Sequence, residues 1–190
     1  MSKPIESFKV VLVGESRVGK TSIITQFIEQ TFQEDQQSTT DGTFTTKSVV
    51  CDGGKVLKFE IWDTSGQERY HALTKMFYKD ANPAILVYDI KHKDSFKELQ
   101  TYWERQIKDS SPPNIILTVA ANKSDLFQQE AVDEVQAREF ANSLGAILQL
   151  CRLQKPISDL FIQIAKKYTG LRILQLKMIM KHKINKSKTK

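Results

Sequence analysis

Short apolar runs alternate along the chain with segments whose apolar residues recur at helical spacing. The runs at 84–88 (AILVY) and 115–120 (IILTVA) are continuous, which is typical of strands buried on both faces. A β-rich run at 8–13 ends at Gly14, and apolar residues follow from Gly19 at helical spacing. Strands are predicted at 8–13, 48–51, 56–61, 84–88, 115–120 and 146–150, and helices after residue 19 and near 94–108, 133–143 and 158–168.

The order of these elements predicts an α/β fold, with a doubly wound, mostly parallel sheet and right-handed crossovers. The turn Asp52-Gly53-Gly54 joins two of the strands and predicts a β-hairpin. Residues 30–43 are polar and without a pattern, and are predicted to form a loop. The dipeptide Thr169-Gly170 is typical of a helix end. We therefore predict a folded domain at 1–169 and a separate tail at 170–190.

Charge is divided unevenly between these two parts. The net charge is +6, but nine of the 28 Lys and Arg residues and none of the 22 acidic residues follow Asp159, so residues 1–159 carry about −3. A nucleic-acid binder more often spreads basic charge over its folded domain, so no nucleic-acid partner is expected. With two cysteines and no apolar run near the roughly 18 residues of a membrane span, the chain is predicted to be cytoplasmic.

The segment Gly14 to Thr21 reads GESRVGKT between the first strand and the first helix. This setting predicts a phosphate-binding loop, in which glycines let backbone N–H groups turn toward a phosphate. Lys20 would reach the β- and γ-phosphates, and the Thr21 hydroxyl would ligate Mg²⁺. The predicted nucleotide-binding residues of this loop are Gly14, Glu15, Ser16, Arg17, Val18, Gly19, Lys20, Thr21 and Ser22.

A second motif, Asn122-Lys123-Ser124-Asp125, follows the IILTVA strand. In an open α/β sheet, ligands bind beyond the carboxyl ends of the strands, where this tetrad would lie. The carboxylate of Asp125 can accept two hydrogen bonds from the guanine edge, whereas adenine offers no such pair. Asn122 is predicted to brace the loop and the Lys123 stem to lie along the base. The motif therefore favours GTP and GDP over ATP.

A third motif, Trp62 to Glu68 (WDTSGQE), follows the LKFEIW strand. Asp63 would arrive beside the phosphate loop and hold Mg²⁺ through water. Gly66 would let the backbone approach the γ-phosphate, and Gln67 would orient the attacking water. Gln67 and Lys20 are therefore the predicted catalytic residues.

These motifs together resemble the Ras superfamily of small GTPases, and specifically its Rab branch. WDTSGQERY, MFYKDANPAILVYDI and NKSDL carry the Rab-like resemblance, which extends from about Phe8 to Tyr168. It implies a six-stranded sheet with five helices and a monomeric GTP/GDP switch that uses Mg²⁺ and hydrolyses GTP slowly. It also implies an exchange factor, a GTPase-activating protein and effectors, and a role in vesicle traffic at the cytosolic face of membranes.

The resemblance assigns further residues by position. Phe32 would stack on guanine, and the backbone N–H of Cys151, with Arg152 beside it, would contact the base. Counting forward from Thr21 makes Thr39 the switch residue that binds Mg²⁺ and senses the γ-phosphate, whereas counting back from Trp62 makes it Thr40. Placing the one extra residue in the hairpin turn at Gly54 favours Thr39.

Several departures from the Rab pattern keep a second function open, a nucleotide-binding scaffold with degenerate switching. The effector strip reads Thr40-Asp41-Gly42, Ser65 replaces an alanine, and Arg17 replaces a small residue. Leu150-Cys151-Arg152 stands where Ser-Ala-Lys is usual, which predicts weaker guanine binding. The tail shows no prenylated cysteine, so either the sequence is truncated or the tail contacts an anionic membrane surface through its lysines.

Overall fold

The computed structural model describes residues 6–31, 39, 42–51, 55–64, 78–152 and 157–170. Its strands are β1 (Glu6–Val13), β2 (Thr43–Cys51), β3 (Lys55–Asp63), β4 (Pro83–Asp89), β5 (Ile116–Asn122) and β6 (Ile147–Leu150). Its helices are α1 (Lys20–Glu29), α2 (93–110), α3 (Glu134–Ser143) and α4 (158–170), with a 3₁₀ turn at Phe127–Gln129. Helix α2 contains a π-helical turn at Leu99–Trp103.

The strands form one sheet in the order β2-β3-β1-β4-β5-β6. Strand β2 is antiparallel to β3, and every other neighbouring pair is parallel. This topology confirms the predicted α/β class. One boundary of the hairpin was wrong, because β2 begins at Thr43 rather than near Ser48. Its first residues, TFTT, lie at an exposed edge strand and carry no alternating apolar pattern.

Helices cover both faces of the sheet. Since side chains alternate between the two faces along a strand, one strand can contribute residues to both cores. On one face, Phe8, Val10 and Leu12 of β1 belong to a core that includes α1 and residues of α4 such as Phe161. On the other face, Val11 and Val13 belong to a core with α2 and α3. Strand β1 is thereby buried from both sides, which holds the segment after Val13 in place.

The parallel registers bring four strand ends to one edge of the sheet. Leu12 lies opposite Asp63, Val13 opposite Leu86, and Asp89 opposite Asn122. Strands β3 and β4 flank β1 on opposite sides, so the chain reverses its winding direction at β1. A crevice at such a reversal is where ligands bind in open α/β sheets.

No helix in the part of the chain that the structure describes is long and apolar enough to cross a membrane.

Candidate functional site

The turn between β1 and α1 depends on two glycines. Gly14 has φ of 143° and Gly19 has φ of 94°, in the region that residues with a Cβ rarely adopt. A Cβ on Gly14 would also lie 2.2 Å from the carbonyl oxygen of Val87, and one on Gly19 would lie 2.3 Å from Nδ2 of Asn122. The turn can therefore pack against β4 and β5 only with glycine at both positions.

Lys20 lies buried at the start of α1, folded back beneath this turn. Its Nζ donates to the carbonyl oxygens of Gly14 at 2.8 Å and Glu15 at 2.9 Å. Burial lowers the pKa of Lys20 to about 8, although the charges of Asp63 and Glu15 act to raise it. A phosphate placed in the turn would supply the negative charge that the buried ammonium lacks.

Three oxygen-bearing side chains meet beside the turn. Thr21 Oγ1 donates to Asp63 Oδ2 at 2.5 Å and lies 2.7 Å from Thr39 Oγ1. The contact between the hydroxyl groups of Thr39 and Thr21 agrees with the forward count. Asp63 is anchored by its neighbour Thr64, whose hydroxyl donates to the Leu12 carbonyl at 2.7 Å.

This cluster fits the magnesium ion that the motifs imply. Asp63 Oδ1 is buried and has no hydrogen-bond partner among the described residues. Burial raises the pKa of Asp63, against the hydrogen bond from Thr21 and the charge of Lys20. A hard divalent cation prefers oxygen ligands, and its charge would compensate a desolvated carboxylate. Thr21, Thr39 and Asp63 are therefore the residues that would hold it.

The tetrad Asn122-Lys123-Ser124-Asp125 begins at the last residue of β5 and reaches across to the phosphate turn. Asn122 Nδ2 donates to the Val18 carbonyl at 2.8 Å, and Lys123 Nζ donates to the Arg17 carbonyl at 3.0 Å. The half-buried Asp125 follows directly in the same turn. The phosphate side and the predicted base side are thus joined by direct hydrogen bonds.

Residues 150–152 require a correction. The backbone N–H of Cys151 donates to the Ala121 carbonyl at 2.9 Å, and its carbonyl accepts from the N–H and the hydroxyl of Ser124. The single N–H of Cys151 is therefore occupied by the sheet, and the prediction that it contacts guanine was wrong. Cys151 instead fixes the tetrad to the end of β6, while the side chain of Arg152 is exposed beside it.

The sequence reasoning missed Asp89. This buried carboxylate ends β4 at the same edge and forms an ion pair with Lys123, with Oδ2 2.7 Å from Nζ. It also accepts from His92 Nδ1 at 3.0 Å and from the Lys91 N–H at 3.0 Å. Its position at the carboxyl end of an apolar run, like that of Asp63, was the available signal.

Some predicted residues lie outside the described residues: Phe32, Thr40, Asp41, Ser65, Gly66, Gln67 and the tail at 171–190. In the phosphate turn, Glu15 and Ser16 are half-buried, Val18 is buried and the side chain of Arg17 is exposed. Ser22 lies in the first turn of α1.

Residues 9–169 match the sequence model of the Ras family. The matched range contains the phosphate turn, the cluster around Asp63 and the tetrad after β5, together with all six strands after the first residues of β1.

Proposed function

Because the chain belongs to the Ras family, we propose that it is a Rab-type switch in which the residues at this sheet edge bind guanine nucleotide. Membership of the family makes it a GTP-binding switch with GTPase activity, and such proteins work with exchange factors, GTPase-activating proteins and effectors. The roles of individual residues, the Rab branch and the slow intrinsic rate are our proposals. The observation that carries the assignment is the meeting of Thr21, Thr39 and Asp63 beside the buried Lys20.

The proposed binding mode follows the contacts at the edge. Backbone N–H groups from Gly14 to Thr21 surround the phosphates, and Lys20 exchanges carbonyl contacts for the β- and γ-phosphate oxygens. Thr21, Thr39 and Asp63 would hold Mg²⁺, which would supply neutralising charge for the phosphates. Asp125 reads guanine, and Phe32 stacks on it.

The hydrolytic step is proposed to depend on Gln67, which orients a water for in-line attack on the γ-phosphorus while Lys20 stabilises charge on the phosphate oxygens. Phosphate-loop switches without an arginine at the γ-phosphate turn over slowly. Arg17 is the arginine of the phosphate turn, and its side chain is exposed. We therefore propose a slow intrinsic rate and an activating protein that accelerates it.

The Rab assignment rests on WDTSGQERY, MFYKDANPAILVYDI and NKSDL. We infer from it that the protein is cytoplasmic, contacts the cytosolic face of membranes and acts in vesicle traffic. The basic tail supports a peripheral contact, since each Lys or Arg near an anionic surface contributes about 1 kcal/mol. Flotation with phosphatidylserine vesicles tests it: binding should disappear in high salt and with 170–190 removed, and salt-independent binding would contradict a charge-driven contact.

The alternative is a scaffold that keeps the fold with impaired switching. The contact of the Cys151 N–H with Ala121 favours it, because the N–H that was expected to contact the base is used within the sheet. Intact Gln67 beside Lys20, Thr21 and Asp63 favours the switch, since a nucleotide-binding scaffold would need the phosphate and magnesium residues but not a residue that orients the attacking water.

Single-turnover GTP hydrolysis tests the proposal. The full chain loaded with GTP and Mg²⁺ should hydrolyse it slowly, and Gln67→Leu should slow hydrolysis further, by at least about tenfold, while GTP binding stays nearly intact. Loss of the water-orienting group affects the transition state alone. Hydrolysis that is absent in the wild-type chain, with GTP bound, would support the scaffold, and hydrolysis unchanged in Gln67→Leu would remove Gln67 from the mechanism.

A further inference from the structure

The ammonium group of Lys123 connects Asp89 to the residues that we propose bind the nucleotide. Its side chain is 1% exposed, and its Oδ2 lies 2.7 Å from Lys123 Nζ. The same Nζ donates to the Arg17 carbonyl at 3.0 Å. Lys123 therefore connects a buried carboxylate at the end of β4 with the backbone of the phosphate turn.

Arg17 and Lys123, the two residues of this hydrogen bond, both have strained backbone conformations. Arg17 has φ of 65° and Lys123 has φ of 60°. A side chain in this left-handed region costs about 1–2 kcal/mol, and the conformation persists where surrounding contacts hold it. The hydrogen bond from Lys123 to the Arg17 carbonyl fixes the orientation of that peptide group in the turn.

We propose that Asp89 is a positioning residue for nucleotide retention, which acts by holding the Lys123 ammonium against the Arg17 carbonyl. This inference rests on the proposed function of the edge as a guanine-nucleotide site. Asp89 acts through Lys123 rather than by contact with the nucleotide. The long Lys123 side chain is 30% exposed, so without a fixed anion it would gain rotamer freedom and leave the turn.

A second role for Asp89 competes with this one. Its carboxylate also accepts from the Lys91 N–H and from His92 Nδ1, both in the turn that leads from β4 to α2. Burial acts to raise the pKa of Asp89, but the hydrogen bonds from Lys123, Lys91 and His92 hold it below its ordinary value, so the group is a carboxylate at neutral pH. A role confined to this turn would affect nucleotide release whether or not Lys123 is present.

A double-mutant cycle separates the two roles. The full chain is loaded with a fluorescent N-methylanthraniloyl GDP in Mg²⁺, and its release is followed after excess GDP is added. Asp89→Asn and Lys123→Met should each raise the release rate about tenfold, the magnitude of a lost charge-assisted hydrogen bond. In the Lys123→Met background, Asp89→Asn should change the rate by less than about twofold. Asp94→Asn, the same substitution at an exposed carboxylate in α2, should leave it unchanged.

Two results would overturn the inference while leaving the nucleotide site intact. One is release from Asp89→Asn within about twofold of the wild type, and the other is an equal acceleration with and without Lys123. A wild-type chain that does not take up the labelled GDP would instead refute the proposed function, and the inference with it. If Asp89→Asn does not fold, Asp89→Glu displaces the carboxylate by one methylene and is compared in the same two backgrounds, with the same opposing outcomes.

Discussion

Lys20 is a buried cation beneath the phosphate turn. Burial lowers its pKa to about 8, so its ammonium is only partly protonated in mildly alkaline solution. A bound phosphate favours the protonated form and raises the pKa of Lys20, which means that binding takes up a proton above pH 8. Nucleotide affinity is therefore highest below this pKa and falls as the pH rises through it.

We predict that the affinity for GDP falls by about tenfold between pH 7 and pH 9, as the protonated fraction of Lys20 does. The measurement is the dissociation constant of GDP at fixed Mg²⁺ across this range. Lys20→Arg is the matched control, because its guanidinium stays protonated and its weaker binding should not vary with pH. A wild-type profile as flat as that of Lys20→Arg would show that Lys20 does not titrate in the free site.

Individual site residues were predictable where a motif follows a strand. Asn122 and Asp63 could be placed because parallel strands end at one edge. Asp89 obeys the same rule and was overlooked because no motif surrounds it. Cys151 was misassigned for a different reason: whether its N–H faces the ligand or Ala121 depends on how β6 pairs with β5, and side-chain identities do not determine this.

At the scale of elements, Lys47 joins β2 to the C-terminus of α1. Its Nζ donates to the carbonyl oxygen of Phe27, and that of Ile28 lies 3.3 Å away. The ammonium also lies 4.7 Å from the centroid of the Phe27 ring. Carbonyl groups in the last turn of a helix have no hydrogen-bond partner within the helix. A cation at this end also interacts favourably with the negative end of the helix dipole. Lys47 thereby links the end of α1 to β2, the two elements on either side of the segment that contains Thr39.

Lys47→Met should lower the free energy of unfolding of the GDP-bound chain by about 1–2 kcal/mol, because two helix carbonyls lose a charged donor. Urea unfolding at constant excess GDP measures the change. Lys58→Met is the control, since Lys58 is also a partly exposed lysine, on the neighbouring β3. An equal loss in both variants would mean that the capping contact contributes nothing of its own.

The segment between α1 and β2 also contains the residue that should respond to the γ-phosphate. Thr39 Oγ1 lies 2.7 Å from Thr21 Oγ1, so we predict that Thr39→Ala abolishes the difference in protease sensitivity of residues 30–45 between the GTP and GDP states. Limited proteolysis of the chain loaded with each nucleotide measures it. Thr40→Ala is the control and should keep most of the difference. The reverse pattern would place the extra residue before Thr40 rather than at Gly54.

The presence of all six strands was predictable from the sequence, since buried strands such as β4 and β5 consist largely of continuous apolar residues. The start of β2 was not, because an edge strand needs no apolar alternation and its threonines also suit a loop. How the strand ends converge depends on registers such as Asp89 opposite Asn122, which long-range packing sets. The spatial relation between the tetrad and the phosphate turn therefore had to come from the structure.

Because ends of β1, β3 and β5 and the start of α1 contribute to one site, its ligands should stabilise the entire domain. At a GDP concentration 100 times the dissociation constant, linkage adds about 2.7 kcal/mol to the free energy of unfolding. For a domain of this size, that is a rise in Tm of roughly 5–10 °C. Differential scanning fluorimetry with GDP and Mg²⁺ measures it, and the same concentration of ATP should produce a much smaller rise, because Asp125 has no matching donors on adenine.

A variant of Asp63 separates the stabilisation by Mg²⁺ from the stabilisation by the nucleotide. Its carboxylate is costly to bury, since burial raises its pKa and Oδ1 lacks a partner among the described residues. In protein stripped of nucleotide and metal, Asp63→Asn should therefore leave Tm unchanged or raise it, because the amide oxygen can still accept from Thr21. With GDP present, the further rise on adding Mg²⁺ should be lost in Asp63→Asn and kept in the wild type. A variant that keeps the full Mg²⁺ increment would show that the ion is held without Asp63, and that the buried carboxylate serves the fold alone.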